Sequence, residues 1–316
     1  MNLNKLKKLS GDASFRSFYR KKKSVLVYCK KDKKINLANY EAVNKILIKN
    51  KILAPRLISE DYKNDYIEIE DLGDMTVYKK FKKKNVNKFY YYKKIIRLLQ
   101  KMQKIKVRKM KTFLNSKHKI TIYSNNKLVN EANLFLKWYL PKYIKGNRKK
   151  VIKKKIYKIY KILIKKLIYK KKVFVHRDFH VSNIMITKNG LGLIDSQDAV
   201  FGNIAYDLAS LIDDVRFKTS IKTKKFVFDE FLKINKSLNI KKFKNDFEIL
   251  SVMRNLKIIG IFTRLSIRDK KNKYLKLIPH AWKLIDLRIS NNEKFNNLKK
   301  ILDQNFKNKV RNIYEN

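Results

Sequence analysis

Up to Gly73 the apolar positions fall in short alternating runs, and beyond it they settle into a helical period. Ser14 to Arg20 and Ser24 to Lys30 are rich in aromatic and β-branched residues and read as strands. Asn36 to Asn50 carries Leu37, Tyr40, Val43, Ile46 and Leu47 at helical spacing. Ala54-Pro55 closes that helix, because proline excludes the helical conformation from the residue before it. Asp65 to Glu70 alternates as a strand, Tyr66 aside, and Asp71-Leu72-Gly73 breaks the pattern. From Met75 onward helices dominate: Phe89 to Lys104, Lys127 to Tyr139, Val151 to Lys172, Ala205 to Val215, Thr223 to Leu238, Lys244 to Ile267 and Tyr274 to Ile289. The exception is a β-hairpin over Asn183 to Ser196; a short helix with a frayed polar end closes the chain. The pattern predicts a two-lobed α+β architecture. A small β-rich N-terminal lobe, residues 1–73, precedes a larger helical C-terminal lobe, residues 74–316.

Composition narrows the function classes. With 316 residues, 44% of them hydrophobic, the chain can bury a full core, which argues against wholesale disorder. Only 7 Gly and 3 Pro favour helices over turn-rich strands, and no solenoid repeat is visible. Cys29 is the only cysteine, so an intramolecular disulfide and a cysteine-cluster metal site are excluded. No apolar run approaches the ~18 residues that a membrane span needs. No apolar stretch follows the lysines of Met1 to Leu9, as a secretory leader would require. A cytoplasmic monomer is expected. Val151 to Lys172 is a basic amphipathic helix with two readings: it lies on an anionic membrane, or it packs its Ile/Leu/Tyr stripe inward and solvates its lysines. The second is the commoner arrangement.

The net charge of +53 has two readings as well. Lysines and arginines neutralise phosphates, so a polyanion partner is one. The other is compositional: Lys, Asn and Ile are all abundant, as AT-rich codons favour, although Glu codons are AT-rich too. The basic residues run from Lys5 to Lys309 without a discrete stripe, and no aromatic RNA-binding motif accompanies them. The compositional reading is preferred, and no specific nucleic-acid partner is expected.

The chemistry concentrates in His176-Arg177-Asp178-Phe179-His180-Val181-Ser182-Asn183. It fits the kinase catalytic loop H-R-D-x-x-x-x-N, whose Asp accepts the substrate hydroxyl proton and whose Asn binds magnesium. Base and metal ligand must leave one short loop in different directions, which explains the spacing. The following hairpin turns at Asn189-Gly190, a strong hairpin signal. With those two as loop residues, Thr187 faces Gly192, Met185 faces Ile194 and Asn183 faces Ser196. Asn183 and Asp195 then become diagonal neighbours at the open end of the ribbon, where a magnesium ion would find two oxygen ligands beside the nucleotide's phosphates. Kinases usually add a strand lysine paired with a helix glutamate. Glu41 sits on the predicted helix, but the strand offers Tyr28 where the lysine is expected. Lys30, two residues on and on the same strand face, is the candidate substitute; one more surface lysine is the equal alternative.

Four segments, Gly11-Asp12-Ala13-Ser14-Phe15-Arg16, Glu70-Asp71-Leu72-Gly73-Asp74, His176 to Asn183, and Ile194-Asp195-Ser196-Gln197-Asp198-Ala199 through Tyr206-Asp207-Leu208-Ala209, resemble the aminoglycoside-phosphotransferase superfamily. The first string and Asp-x-Gln-Asp-Ala most resemble its bacterial anomeric N-acetylmuramate/N-acetylglucosamine kinases of cell-wall recycling. The resemblance implies a protein-kinase-like fold that uses ATP and Mg2+. It implies that Gly11 to Phe15 covers the nucleotide phosphates, with Ser14 offering a hydroxyl and an N–H; a plain β-turn is the other reading of a lone glycine. Glu70 to Leu72 would be the hinge that meets adenine, and Asp207 would hydrogen-bond the catalytic loop. His176 and His180 flank Asp178 without further ligands and are read as ordering the loop. Ser196-Gln197 after Asp195, in place of Phe-Gly, suits a small-molecule kinase better than a protein kinase.

The expected reaction is phosphoryl transfer from ATP to the anomeric hydroxyl of N-acetylmuramate or N-acetylglucosamine, a small-molecule sugar acceptor. A second reading keeps the fold and changes the acceptor to choline, ethanolamine, homoserine or an aminoglycoside. A third is a basic nucleic-acid-binding protein on an inactive kinase fold, which the intact Asp178, Asn183 and Asp195 disfavour. Arg216, Arg254 and Arg264 are candidate partners for an acceptor carboxylate, each with a plain surface role as its alternative.

Overall fold

An antiparallel sheet with one helix against it begins the chain. This computed structural model describes residues 6–9 and 16–314, so Gly11 and Ser14 lie outside the described residues. The chain divides into two compact units, Met1–Ile122 with Val173–Phe201, and Tyr123–Lys172 with Gly202–Asn316.

In the first unit, β1 (Lys7–Leu9), β2 (Arg16–Arg20), β3 (Ser24–Cys29), β4 (Leu57–Asp61) and β5 (Tyr66–Glu70) form a five-stranded sheet in the order β1-β2-β3-β5-β4. Alternation predicts the central strands well. In β5, Ile67 and Ile69 point to the core while Tyr66, Glu68 and Glu70 are half-buried. With Val25, Val27 and Cys29 they pack against Leu37 and Tyr40 of α1 (Ile35–Lys49). Strand β4, Leu-Ile-Ser-Glu-Asp, lies at the edge with its middle exposed; it has no buried face to produce alternation, and the pattern missed it. Helix α1 ends before Ala54-Pro55 is reached: Lys51 takes φ +58° and the Ile52 N–H returns to Leu47 O.

The same unit continues through α2 (Val77–Phe81), α3 (Lys88–Gln103) and a small hairpin, β6 (Lys109–Lys111) with β7 (Lys117–Lys119). Thr76 and Asn87 cap α2 and α3 by accepting the N–H groups of Lys79 and Tyr90. Strand β8 (Lys172–Val175) leads into the segment singled out above, followed by β9 (Ile184–Thr187) and β10 (Gly190–Leu193).

The second unit is helical: α4 (Asn125–Leu134), α5 (Leu140–Tyr143), α6 (Gly146–Lys165), α7 (Tyr206–Ile212), α8 (Ile221–Ile234), α9 (Ile240–Asp269), α10 (Ile278–Ile289), α11 (Asn296–Asn305) and α12 (Asn308–Arg311). Helix α9 is the axis, buried or half-buried at every position from Asn245 to Leu265. A π-helical turn, Phe135–Tyr139, joins α4 to α5. A Cβ on Gly260 would stand 2.3 Å from Leu134 C and 2.4 Å from Phe135 N, so only glycine lets α9 lie on that turn. Around it Phe135, Tyr139, Trp282 and Phe306 form an aromatic cluster, with Trp282 Nε1 donating to Tyr139 Oη at 3.1 Å.

Helix α6 buries Ile152, Ile156, Tyr160, Leu163 and Ile164 and exposes its lysines, the inward-packing arrangement. It ends earlier than Lys172 because the buried Asp246 carboxylate takes the N–H groups of Ile168 and Tyr169, at 2.8 and 2.9 Å, and so draws the chain out of the helix. Before α10, Asn272–Leu277 is a 3₁₀ turn, so the periodic stretch from Tyr274 is not one helix. Asp213, after α7, is fully buried between Lys224 at 3.0 Å, Ser251 at 2.6 Å and both ends of the Arg288 guanidinium, at 2.8 and 2.9 Å. Burial alone would raise its pKa, but these cations and hydrogen bonds prevail and hold it at about 2. Among the described residues, no helix is long and apolar enough to cross a membrane.

Candidate active site

The segment between β8 and β9 folds on itself because its apolar side chains, Phe179 and Val181, are fully buried. Asp178, Ser182 and Asn183 stay half-buried. The carbonyl of Asp178 accepts the His180 N–H at 3.1 Å and the Asn183 side-chain amide at 3.0 Å. Asn183 N–H returns to His180 O at 2.9 Å, and Val181 O accepts the Tyr78 N–H at 2.9 Å, fixing the loop from the side of α2. His176 is buried, and burial lowers its pKa, so its ring is neutral at neutral pH. Its Nε2 lies 3.1 Å from Ile194 O and donates there, joining the loop to the segment after β10 that carries Asp195.

The hairpin differs from the expected register. Thr187 pairs with Gly190, Met185 with Gly192 and Ile184 with Leu193, so the loop residues are Lys188 and Asn189. Gly190 alone takes a positive φ, +119°, while Thr187 Oγ1 accepts the Asn189 N–H and donates to Gly190 O. Asn189 therefore never needs the left-handed conformation assumed for an Asn-Gly loop. In the observed register Asn183 faces Ile194, whose N–H reaches Asn183 O at 3.1 Å, and not Ser196. Asp195 follows at once, with φ +63°, a conformation that a branched side chain tolerates poorly. Asn183 and Asp195 are thus still neighbours at the open end of the ribbon.

Several contacts fix the hairpin's position. Leu193 N–H donates to Leu53 O at 2.8 Å, and Ser196 Oγ donates to Asn44 Oδ1 of α1 at 2.6 Å in a buried pair. A Cβ on Gly192 would stand 3.1 Å from Leu72 Cδ1, so Leu72 lies directly over the hairpin. Glu70 ends β5, its N–H donating to Arg56 O at 2.8 Å. Asp71 holds Gly73 N–H at 2.8 Å and the Arg20 guanidinium at 2.6 Å, which shapes the turn after β5.

Lys30 and Glu41 are not brought together. Lys30 stands exposed just past the end of β3. Glu41 is buried, ion-paired with Lys45 one turn along α1 and accepting the Phe113 N–H at 3.2 Å. The cation beside Asp195 is Arg16 of β2, whose Nη2 makes an ion pair with Asp195 Oδ1. Its side chain is 1% exposed against 35% for Asp195, and its guanidinium lies 4.9 Å from the Tyr40 ring centre. Gln197 Nε2 adds a hydrogen bond to the same carboxylate at 3.2 Å. Sequence reasoning assigned Arg16 no role, although it closes the Gly-Asp-Ala-Ser-Phe-Arg string. In the second unit, Asp207 is fully buried in the first turn of α7.

The sequence model of the phosphotransferase enzyme family matches residues 5–226. The chain belongs to that family. Among curated relatives, an N-acetylmuramate/N-acetylglucosamine kinase of Neisseria meningitidis serogroup B is 28% identical over 287 residues, 85% of this chain and 81% of the relative. One of the same name from Pseudomonas aeruginosa is 24% identical, covering 89% and 82%. Among solved structures, a choline/ethanolamine kinase family protein from Mesorhizobium loti superposes with a TM-score of 0.64 at 12% identity, covering 94% of this chain and 92% of that one. An ADP-bound aminoglycoside phosphotransferase, APH(2'')-Ib, gives 0.62 at 15% identity, covering 90% and 93%. The fold of this phosphotransferase is therefore the protein-kinase-like one, with an antiparallel N-terminal sheet and a larger helical part.

Proposed function

We infer that this phosphotransferase is an ATP-dependent small-molecule kinase acting on the anomeric hydroxyl of an N-acetylated amino sugar, N-acetylmuramate or N-acetylglucosamine. The observation that carries the reading is the junction of loop and hairpin, where Asp178, Asn183 and Asp195 share one edge. The names of the curated relatives support the acceptor. In this reading the chain up to Gly73 handles the nucleotide, through Glu70, Leu72 and the segment that contains Gly11 and Ser14.

The donor set fits magnesium. Asn183 commits its amide nitrogen to Asp178 O, which leaves its Oδ1 without a hydrogen bond, and Asp195 is partly exposed. Two such oxygens suit an ion whose other ligands are phosphate oxygens and water. When bound, magnesium would neutralise the charge on the transferring phosphates.

The chain's own groups do the rest. The Asp178 carboxylate orients the acceptor hydroxyl and takes its proton. An anomeric hydroxyl is the most acidic of a sugar, so a carboxylate of ordinary strength suffices. Arg16 supplies the cation that a strand lysine supplies in other kinases, since a guanidinium matches phosphate oxygens in pairs. Lys30, with Glu41 as its expected partner, is the weaker candidate for that part, given where the two lie. A net charge of +53 disfavours a polycationic acceptor.

The test is a side-by-side assay of N-acetylmuramate, N-acetylglucosamine, choline and kanamycin with ATP and magnesium, read by mass spectrometry and phosphorus NMR. A sugar 1-phosphate is expected. A product phosphorylated at another hydroxyl, or turnover of a cationic acceptor alone, would overturn the reading.

A further inference from the structure

The side-chain amide of Gln197 spends both of its hydrogen bonds on carboxylates. Its Nε2 donates to Asp195 Oδ1 at 3.2 Å and to Asp198 Oδ2 at 3.0 Å. An amide nitrogen carries two hydrogens and a carboxylate oxygen accepts, so the two neighbours fix which end of Gln197 is nitrogen and occupy both hydrogens. The other donor to Asp195 is Arg16, and it takes the same oxygen. Asp195 Oδ2 therefore accepts no hydrogen bond from any described residue: one oxygen is held twice and the other not at all. Turn geometry does not require this arrangement. The turn from Ser196 to Ala199 closes through its own backbone, Ala199 N–H donating to Ser196 O at 3.0 Å, and Ser196 is pinned separately by the buried Asn44. What the amide adds is a link. Asp198 lies against Arg177, whose Nη1 is 3.7 Å from Asp198 Oδ1 and donates to Asp198 O at 3.3 Å, and Arg177 directly precedes Asp178. Asp195 and Arg177 both hold a positive φ, +63° and +74°, which persists only where the surroundings enforce it. Arg16, Asp195, Gln197, Asp198 and Arg177 thus form one continuous chain of contacts inside the first unit.

We propose that Gln197 is the positioning residue of the magnesium site: bridged to Asp198, it holds Asp195 by Oδ1 and so keeps Oδ2 for the metal. This rests on the magnesium reading above and deepens it. A carboxylate that binds a metal is usually fixed by a hydrogen bond of its own, and an amide suits the part because it orients the carboxylate without neutralising it. Arg16 is no substitute. Its cation opposes the metal at the same carboxylate, and in the reading above it is shared with the phosphates.

The experiment titrates Mn2+, a paramagnetic substitute for magnesium, into protein held in excess over ADP, and reads free Mn2+ by electron paramagnetic resonance. Calorimetry measures ADP binding separately in EDTA. Wild type, Gln197→Met and Asp198→Ala are compared. Gln197→Met keeps the length of the side chain and loses both hydrogens; it is expected to raise the Mn2+ Kd about 10- to 100-fold, the usual effect of removing a hydrogen bond behind a metal ligand. Metal-free ADP binding should change less than about threefold, because the amide touches no group assigned to the nucleotide alone. Asp198→Ala, at an exposed position, frees one end of the amide and should weaken Mn2+ in the same direction but by less. A side chain that only shaped the turn would weaken ADP binding equally with and without metal, and that result overturns the proposal. So does an unchanged Mn2+ Kd in either variant while wild type binds the ion. If wild type with ADP binds no Mn2+, the magnesium reading itself fails and the proposal falls with it.

Discussion

At the scale of single residues, the proposed reading assigns proton transfer and nucleotide binding to different groups. Asp178 is anchored through its backbone carbonyl, which accepts the His180 N–H and the Asn183 amide. Arg16 reaches the site from a different strand and touches Asp195. Replacing them should therefore fail in different ways. Asp178→Asn is expected to lower kcat about 10²–10⁴-fold and to leave the ADP Kd within a few-fold. Arg16→Gln is expected to weaken ADP binding roughly tenfold or more, with Arg16→Lys recovering part of the loss. Calorimetry with ADP and steady-state kinetics separate the two; an unchanged ADP Kd in Arg16→Gln would remove Arg16 from the phosphate site. The same contrast explains what could be read from sequence. Asp178 and Asn183 are joined within one loop, so spacing alone encodes their geometry. Arg16 and Asp195 are 179 positions apart, and only the sheet, by burying Arg16 against Tyr40, brings them together. Lys30 was chosen by strand parity, which identifies a face but says nothing of where the strand ends.

At the scale of elements, the sharpest demand falls on α9. Its Gly260 sits where any side chain would strike the backbone of Leu134 and Phe135, atoms that no rotamer change can move aside. Gly260→Ala should cost about 1–3 kcal/mol of stability or more, measured by urea unfolding. Gly192→Ala, whose nearest contact is the tip of Leu72, serves as the comparison and should cost less. A Gly260→Ala protein as stable as wild type would mean that the π-helical turn is free to shift. Periodicity located α1 and α3 because their buried positions repeat along the chain. It failed where a distant partner, a local side-chain hydrogen bond or an exposed edge decides the outcome. Asp246 ends α6 early, Thr187 and Gly190 set the hairpin register between them, and β4 shows no alternation at an exposed edge.

At the scale of the whole molecule, the +53 charge acts as a diffuse field. The fold uses some cations locally: Lys224 and Arg288 hold Asp213, and Arg311 bridges Asp286 and Asp303. Helix α6 shows the commoner case, lysines in solvent beside a buried apolar stripe. Such lysines repel one another across the surface, and salt weakens that repulsion over a Debye length of roughly 10 Å at 0.1 M. Raising NaCl from about 20 to about 200 mM should therefore raise the unfolding temperature. The same screening should release nucleic acid, because contacts between dispersed lysines and phosphates gain from counterion release but read no bases. Fluorescence anisotropy with two duplexes of unrelated sequence should give equal affinities that fall together with salt, while sugar phosphorylation is unaffected by added DNA. Binding that prefers one duplex and survives at about 150 mM salt would mean that the lysines form a recognition surface after all, and that the compositional origin assigned to them is wrong.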